Sequence, residues 1–280
     1  MIRYIWYIGV ILALQGCATS ERLQQRAAEQ VTEFLDKYQQ KWSLEVLSKE
    51  ADARFTVVHI RQQHYSDILT KRTELKFKSE RDPVKIARIK NDYLSQLYEI
   101  NNIQNNIVEF LTEVAGSRDF LYVEGRSFPQ PYRDKFLEDY IRDSTAEVSK
   151  ILNFNGPLKS KIPDPPVFLG ASIPLHQSEH MNVIGVENLG LLNLTLSLYE
   201  NDKLSKADLA DFLRECHEVR EDQIIKNMAE NFDELPFRMN SIRFLICGSK
   251  HDFRDNLKKW NKENPERKFN LIIYTPAGLR

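Results

Sequence analysis

Residues 241–253 read SIRFLICGSKHDF, and this stretch decides the fold class. Ile242, Phe244, Leu245, Ile246 and Cys247 form a short apolar run rich in strand formers. Gly248 breaks it, and His251 and Asp252 then stand at the mouth of the next helix, DFRDNLKKWN. A strand covered on both faces reads as a near-continuous apolar run. A run that ends in glycine and then polar side chains is how a parallel strand delivers functional groups to the rim of an open α/β sheet.

Three other stretches end in a similar way. Arg54–Ile60 (RFTVVHI) carries His59 and runs into Arg61, Gln62, Gln63 and His64. Phe120–Val123 ends at Glu124-Gly125, and Val183–Val186 ends at Glu187. Val167–Ala171 and Phe269–Tyr274 complete the predicted strands. Helices are expected between them. Ser20–Glu50 carries Leu23, Ala27, Val31, Phe34, Tyr38 and Trp42 at steps of three and four. Asp82-Pro83 opens a long helix that Gly116 closes. About thirty residues would span about 45 Å, so this helix should overhang a small sheet. Further helices are expected over Tyr132–Leu152, from Ser205 to Glu215 with Asp208 in the first turn, over Glu218–Phe232 and over Asp252–Trp260. Asn155–Pro166 is a loop rich in proline, and the leucines of Leu189–Tyr199 suit either a buried helix or a strand.

Strands alternating with helices, joined by connections long enough for parallel pairing, give an α/β three-layer sandwich with a mainly parallel sheet. An N-terminal amphipathic helix precedes it. Strand order is not readable at this level. With 280 residues, 42% hydrophobic and 28% charged, the chain can bury a sizeable core. A net charge of −1 gives no electrostatic footprint for nucleic acid. Oligomeric state is likewise not readable.

The first residues read as a targeting segment. Arg3 and the amino terminus supply the charged start, and Tyr4–Leu14 is apolar but short for a membrane span. The run ends in Leu14-Gln15-Gly16-Cys17, which resembles the lipobox of bacterial lipoproteins, with an uncleaved signal anchor as the alternative. The resemblance implies a signal peptide over 1–16, a lipidated Cys17 with a helical stalk over 17–50, and one α/β domain over 51–280. Ala18 after the cysteine implies a bacterial cell-envelope protein held by its lipid in the outer membrane, facing the periplasm. Cys216 and Cys247 would then meet an oxidising compartment, where a disulfide can form. A buried thiol is the commoner outcome for a residue ending a core strand. No cysteine pair has metal-ligand spacing.

In a parallel sheet the carboxyl ends of all strands lie on one edge. His59 to His64, Glu124, Glu187 and His251-Asp252 are therefore expected to converge on one cleft. Two imidazoles and one or two carboxylates can ligate a divalent transition metal, or serve as acid and base around a water. The alternatives are structural: Glu124 as a cap or as a partner of Arg126 or Arg220, and Arg220 paired with Glu221 or Asp222 on an exposed helix. His176 and His180 read as solvated loop histidines.

In order, FLYVEG, VFLGAS, VIGVEN, REDQIIKNM and FLICGSKHDF resemble the superfamily containing erythromycin esterase-like proteins, ChaN-type haem-binding lipoproteins and the TraB/PrgY/TIKI group. The resemblance covers about Phe55–Tyr274. It implies a paired G-x-x-H arrangement with a glutamate at an intervening strand end and an arginine on a helix. Gly248 with His251, Glu124 and Arg220 match those positions. Where the family has Gly-Glu-x-His, this chain has Arg61-Gln62-Gln63-His64, which keeps the histidine and replaces the carboxylate by an amide. The implied roles are metal binding or base action for His64 and His251, metal binding or orientation of water for Glu124, and binding of a small-molecule or peptide ligand for Arg220. Haem binding, with Tyr65 as axial ligand, is the second expectation. A member that has lost its chemistry and serves as an interaction protein is the third.

Overall fold

The structure is a computed structural model that describes residues 2–63, 65, 67–127, 131, 133–152, 163, 167, 169–199, 205–234 and 241–279, with backbone alone for 2–20. Six strands form one sheet: β1 (Glu45–Ser48), β2 (Phe55–Gln62), β3 (Phe120–Ser127), β4 (Asn182–Glu187), β5 (Ile242–Gly248) and β6 (Phe269–Tyr274). Their order is β1-β6-β2-β5-β3-β4. All neighbouring pairs are parallel except β1 with β6. The helices are α1 (Ile2–Trp42), α2 (Asp67–Ser79), α3 (Pro83–Val114), α4 (Asp134–Leu152), α5 (Ser172–Gln177), α6 (Leu189–Tyr199), α7 (Lys206–Glu234) and α8 (Arg254–Glu263). The expected three-layer α/β architecture is present.

Side-chain alternation along the central strands divides the core. Val58, Ile60, Phe244 and Ile246 face Val31, Phe34, Ile103, Ile107 and Phe110 from α1 and α3. Val57, Leu245, Cys247 and Leu271 face Ile224, Ile225, Met228 and Leu257 from α7 and α8. The Asp82 carboxylate accepts the Val84 N–H at 2.9 Å at the start of α3. The carboxyl half of this helix covers the sheet, while Tyr93, Leu97 and Ile100 of its amino half pack with Leu137, Val148 and Ile151 of α4. The overhang is therefore itself a core.

Several elements differ from the sequence reading. The helix expected over Ser20–Glu50 ends at Trp42, whose ring packs edge-on against Phe110 and Tyr274. Ser43 turns the chain at φ 50°, and Glu45–Ser48 becomes the antiparallel edge strand. The described residues of Val167–Ala171 form no strand; Gly170, at φ 151°, leads into α5, and Leu169 and Ala171 are buried there. The two helices expected over 205–232 are one, because no glycine or proline interrupts Glu215–Glu218. Ser205 accepts the Asp208 N–H at 3.1 Å and donates to its carboxylate at 2.7 Å, as a cap should. The leucine-rich segment 189–199 is helical, and α2 fills a stretch for which the sequence suggested no element. The loop at 155–166 lies, apart from Pro163, outside the described residues. Cys216 and Cys247 are free. Among the described residues no helix is long and apolar enough to cross a membrane.

The end of β3 crosses directly over β4. A Cβ at Gly185 would lie 2.4 Å from the Ser127 carbonyl oxygen and 2.6 Å from the Arg126 Cβ, so only glycine fits. Pro131 then pairs with Ile184 in an antiparallel bridge.

Candidate functional site

Three strand ends and one helix build the site. β3 supplies Glu124, β4 supplies Glu187, and the turn after β5 supplies His251, whose N–H donates to the Gly248 carbonyl at 3.1 Å. On α7, His217, Arg220 and Glu221 continue, at steps of three and four, the stripe that Ile224, Ile225 and Met228 bury against the sheet.

Arg220 is the hub. Its Nη2 donates to Glu124 Oε1 at 2.8 Å and to Glu187 Oε1 at 2.5 Å, and its Nε donates to Glu187 Oε2 at 3.4 Å. Glu124 Oε2 accepts the Gly248 N–H at 2.6 Å. A Cβ on Gly248 would stand 3.3 Å from that oxygen, which explains the glycine at the strand end. His251 lies between two carboxylates, with Nε2 3.1 Å from Glu124 Oε1 and Nδ1 2.8 Å from Glu221 Oε1. His217 stacks on it at 4.9 Å between ring centroids, with planes inclined by 25°. The side chains of Glu187, Arg220, Glu221 and His251 are at most 4% exposed, whereas that of Glu124 is 13% exposed. Of these five groups, Glu124 is the one in reach of water.

Burial and charge set the protonation states. Burial would lower His251, but Cys247 and the carboxylates of Glu124 and Glu221 outweigh it and hold the imidazole well above its ordinary range. Burial, with the charge of Glu124, pushes the Cys247 thiol up to about 12. Burial and then the positive charges of His251 and Arg220 push His217 down to about 4, so its ring is neutral near pH 7. Burial raises Glu187, with Arg220 opposing.

The structure brings together Glu124, Glu187 and His251 from the strand ends and, with them, Arg220, which the resemblance put on a helix. His64 lies outside the described residues. Arg220 is not the exposed residue of the structural alternative; Glu221 pairs with His251, and Asp222 pairs with Lys259 at 2.7 Å. Tyr65 does not offer the exposed phenol that haem ligation needs. It is 1% exposed and its hydroxyl bonds the Thr70 hydroxyl inside the α2–α3–α4 core. Gln62 points to the other side of the sheet, where its amide oxygen accepts from Gln104 of α3 at 3.4 Å. Gln104 also bonds the Gln63 carbonyl and the Ala171 N–H, tying the end of β2 to the turn before α5. The sequence reading passed over His217, although its spacing from Arg220 and Glu221 puts it on the same helix face.

Among the described residues two groups of side chains could hold a metal ion, Glu124 with Cys247 and His251, and His217 with Glu221 and His251; within each, the ligand atoms lie within 4.8 Å of one another. A cavity of about 530 Å³ lies at the opposite, amino-terminal edge of β3 and β4, lined by Ser117, Phe120 and Asn182 among others. It shares no residue with the site. The chain matches no protein-family model, no curated protein and no solved structure.

Proposed function

We propose that this chain is a lipid-anchored protein of the bacterial cell envelope, attached through Cys17 to the outer membrane and facing the periplasm. Its α/β domain would be a hydrolase, related to the erythromycin esterase-like proteins, acting on a small-molecule or peptide ligand. The observation that carries this reading is the meeting of Glu124, Glu187, Arg220 and His251 at one end of three parallel strands.

Glu124 is the base in this scheme. It takes a proton from water as the water adds to the substrate carbonyl and returns that proton to the departing group, while His251 behind it holds its orientation. Arg220 acts as a positioning residue, because its guanidinium is engaged by Glu124 and Glu187. The substitution of Gln62 for the family glutamate leaves this network intact, since that position faces α3. A divalent metal bound at the site would supply Lewis acidity. The group of Glu124, Cys247 and His251 suits it poorly: Arg220 lies 2.8 Å from the Glu124 oxygen, and the fully buried thiol is held protonated.

The test is hydrolysis of a panel of activated esters and peptides by the full chain. Glu124→Gln should lower kcat by about 10²–10⁴, the usual worth of a general base, with a native circular dichroism spectrum at the assay temperature. A wild-type protein without activity on the panel, or a Glu124→Gln variant as fast as wild type, overturns the reading. Haemin titration of the same protein tests the second expectation, and a shifted Soret band would replace hydrolysis with haem binding.

A further inference from the structure

We propose that His217, Glu221 and the Nδ1 of His251 form a divalent-metal site, with Glu124 supporting it through the other nitrogen of His251. The inference rests on the hydrolase reading for its setting only; the ligand geometry stands by itself.

His217 and Glu221 are four residues apart on α7, so both project from one face of the helix. His251 reaches the same point from the turn after β5. The three ligand atoms lie within 4.8 Å of one another, and the Nδ1 to Glu221 Oε1 distance is 2.8 Å. Tetrahedral zinc with bonds of about 2.0–2.1 Å needs donors about 3.3 Å apart. The His251–Glu221 pair must therefore open by about half an ångström as its shared proton leaves, a displacement within side-chain reach.

Two histidines and a glutamate are a donor set used for catalytic zinc, with the fourth position left to water or substrate. His217 is half-buried rather than enclosed, so the fourth position has a route to solvent.

The surroundings support the assignment. Histidines that ligate metals donate their second N–H to a carboxylate or a carbonyl. With a metal on Nδ1, the Nε2–H of His251 has such a partner in Glu124 at 3.1 Å, and Glu124 is fixed by Arg220 and the Gly248 N–H. The guanidinium of Arg220 is engaged by Glu124 and Glu187. With His251 neutral, the site holds the carboxylates of Glu124, Glu187 and Glu221 and one guanidinium, which pairs with the first two. The two negative charges left over are what a divalent cation neutralises.

Titration of the metal-stripped full chain with zinc, and with cobalt as a spectroscopic substitute, tests this. One equivalent of cobalt should bind with visible bands of a tetrahedral or five-coordinate ion and without a thiolate charge-transfer band. His217→Ala should weaken zinc binding by more than about 100-fold, beyond the 10–100-fold of an outer-shell change expected for Glu124→Gln. Cys247→Ser should leave zinc affinity unchanged. Circular dichroism of each variant guards against misfolding, which the partial exposure of His217 makes improbable for that substitution. Absence of binding by the wild-type chain overturns the inference. So does a thiolate–cobalt band that Cys247→Ser removes, because it would place the ion at Glu124, Cys247 and His251. Full hydrolysis by the metal-stripped chain would overturn the metal role and leave the hydrolase reading standing; zinc binding as described without hydrolysis would do the reverse.

Discussion

Glu187 and His59 show how much depends on single buried groups. The Glu187 side chain is 1% exposed and owes its charge to Arg220. Removing one member of a buried ion pair costs about 3–5 kcal/mol, because the other is left without compensation. Arg220→Ala should therefore lower unfolding stability by about that amount in urea titrations; a loss under about 1 kcal/mol would mean that Glu187 simply takes up a proton. His59 is fully buried and stands edge-on to Phe253 at 5.0 Å. Burial, followed by the charges of His251 and Arg61, pushes it down from 6.5 to about 3. Between those values the unfolded chain binds a proton that the folded chain refuses, so stability falls as pH drops through that window. His59→Leu should flatten this acid limb in melting curves from pH 3 to 7; parallel curves for the two proteins would exclude the group. At this scale the sequence was informative where chemistry follows a strand end, as for Glu124, Glu187 and His251. It was silent on His217 and read Glu221 only as a partner of Arg220, because both roles depend on which face of a helix meets the sheet.

Among the elements, strands with continuous apolar runs were legible because both of their faces are covered, and their residues say so without context. β1 was not, since Glu45–Ser48 is an edge segment whose strand state comes from pairing with β6. Val167–Ala171 has a strand's composition, yet the turn at Gly170 and the burial of Leu169 and Ala171 against helices override it. The crossing at Gly185 yields a sharp prediction. Gly185→Ala would drive a methyl group to 2.4 Å from a backbone oxygen, and neither strand can move without losing its register. A loss of about 1–3 kcal/mol, typical of overpacking, is expected in thermal melts. Gly116→Ala, where an added Cβ meets nothing within 4 Å, is the matched control.

For the molecule as a whole, α1 belongs to the core and is not merely a tether. Val31, Phe34, Leu35 and Tyr38 are buried against the sheet together with Leu44. Each fully buried side chain of this size contributes about 1.5–3 kcal/mol, and several together rival the 5–15 kcal/mol of a typical domain. A chain lacking residues 1–43 should therefore fail to fold cooperatively, whereas one lacking 1–20 should melt like the full chain. A cooperative, native-like melt of the shorter chain would show that the sheet is self-sufficient.

The direction of α1 also sets how the molecule would stand on a membrane. Gln30 is fastened to Ser241 at the amino end of β5, and Trp42 reaches Tyr274 at the carboxyl end of β6. The chain upstream of Gln30 thus leaves from the amino edge, and at about 1.5 Å per residue Cys17 lies about 20 Å beyond it. Glu124 and His251 sit at the other edge, with the length of β5, about 23 Å, in between. Were Cys17 lipidated as proposed, the cleft would face away from the bilayer. Substrates of the proposed hydrolase would then arrive dissolved in the surrounding compartment, and lipids of the anchoring membrane would be the molecules least able to reach it.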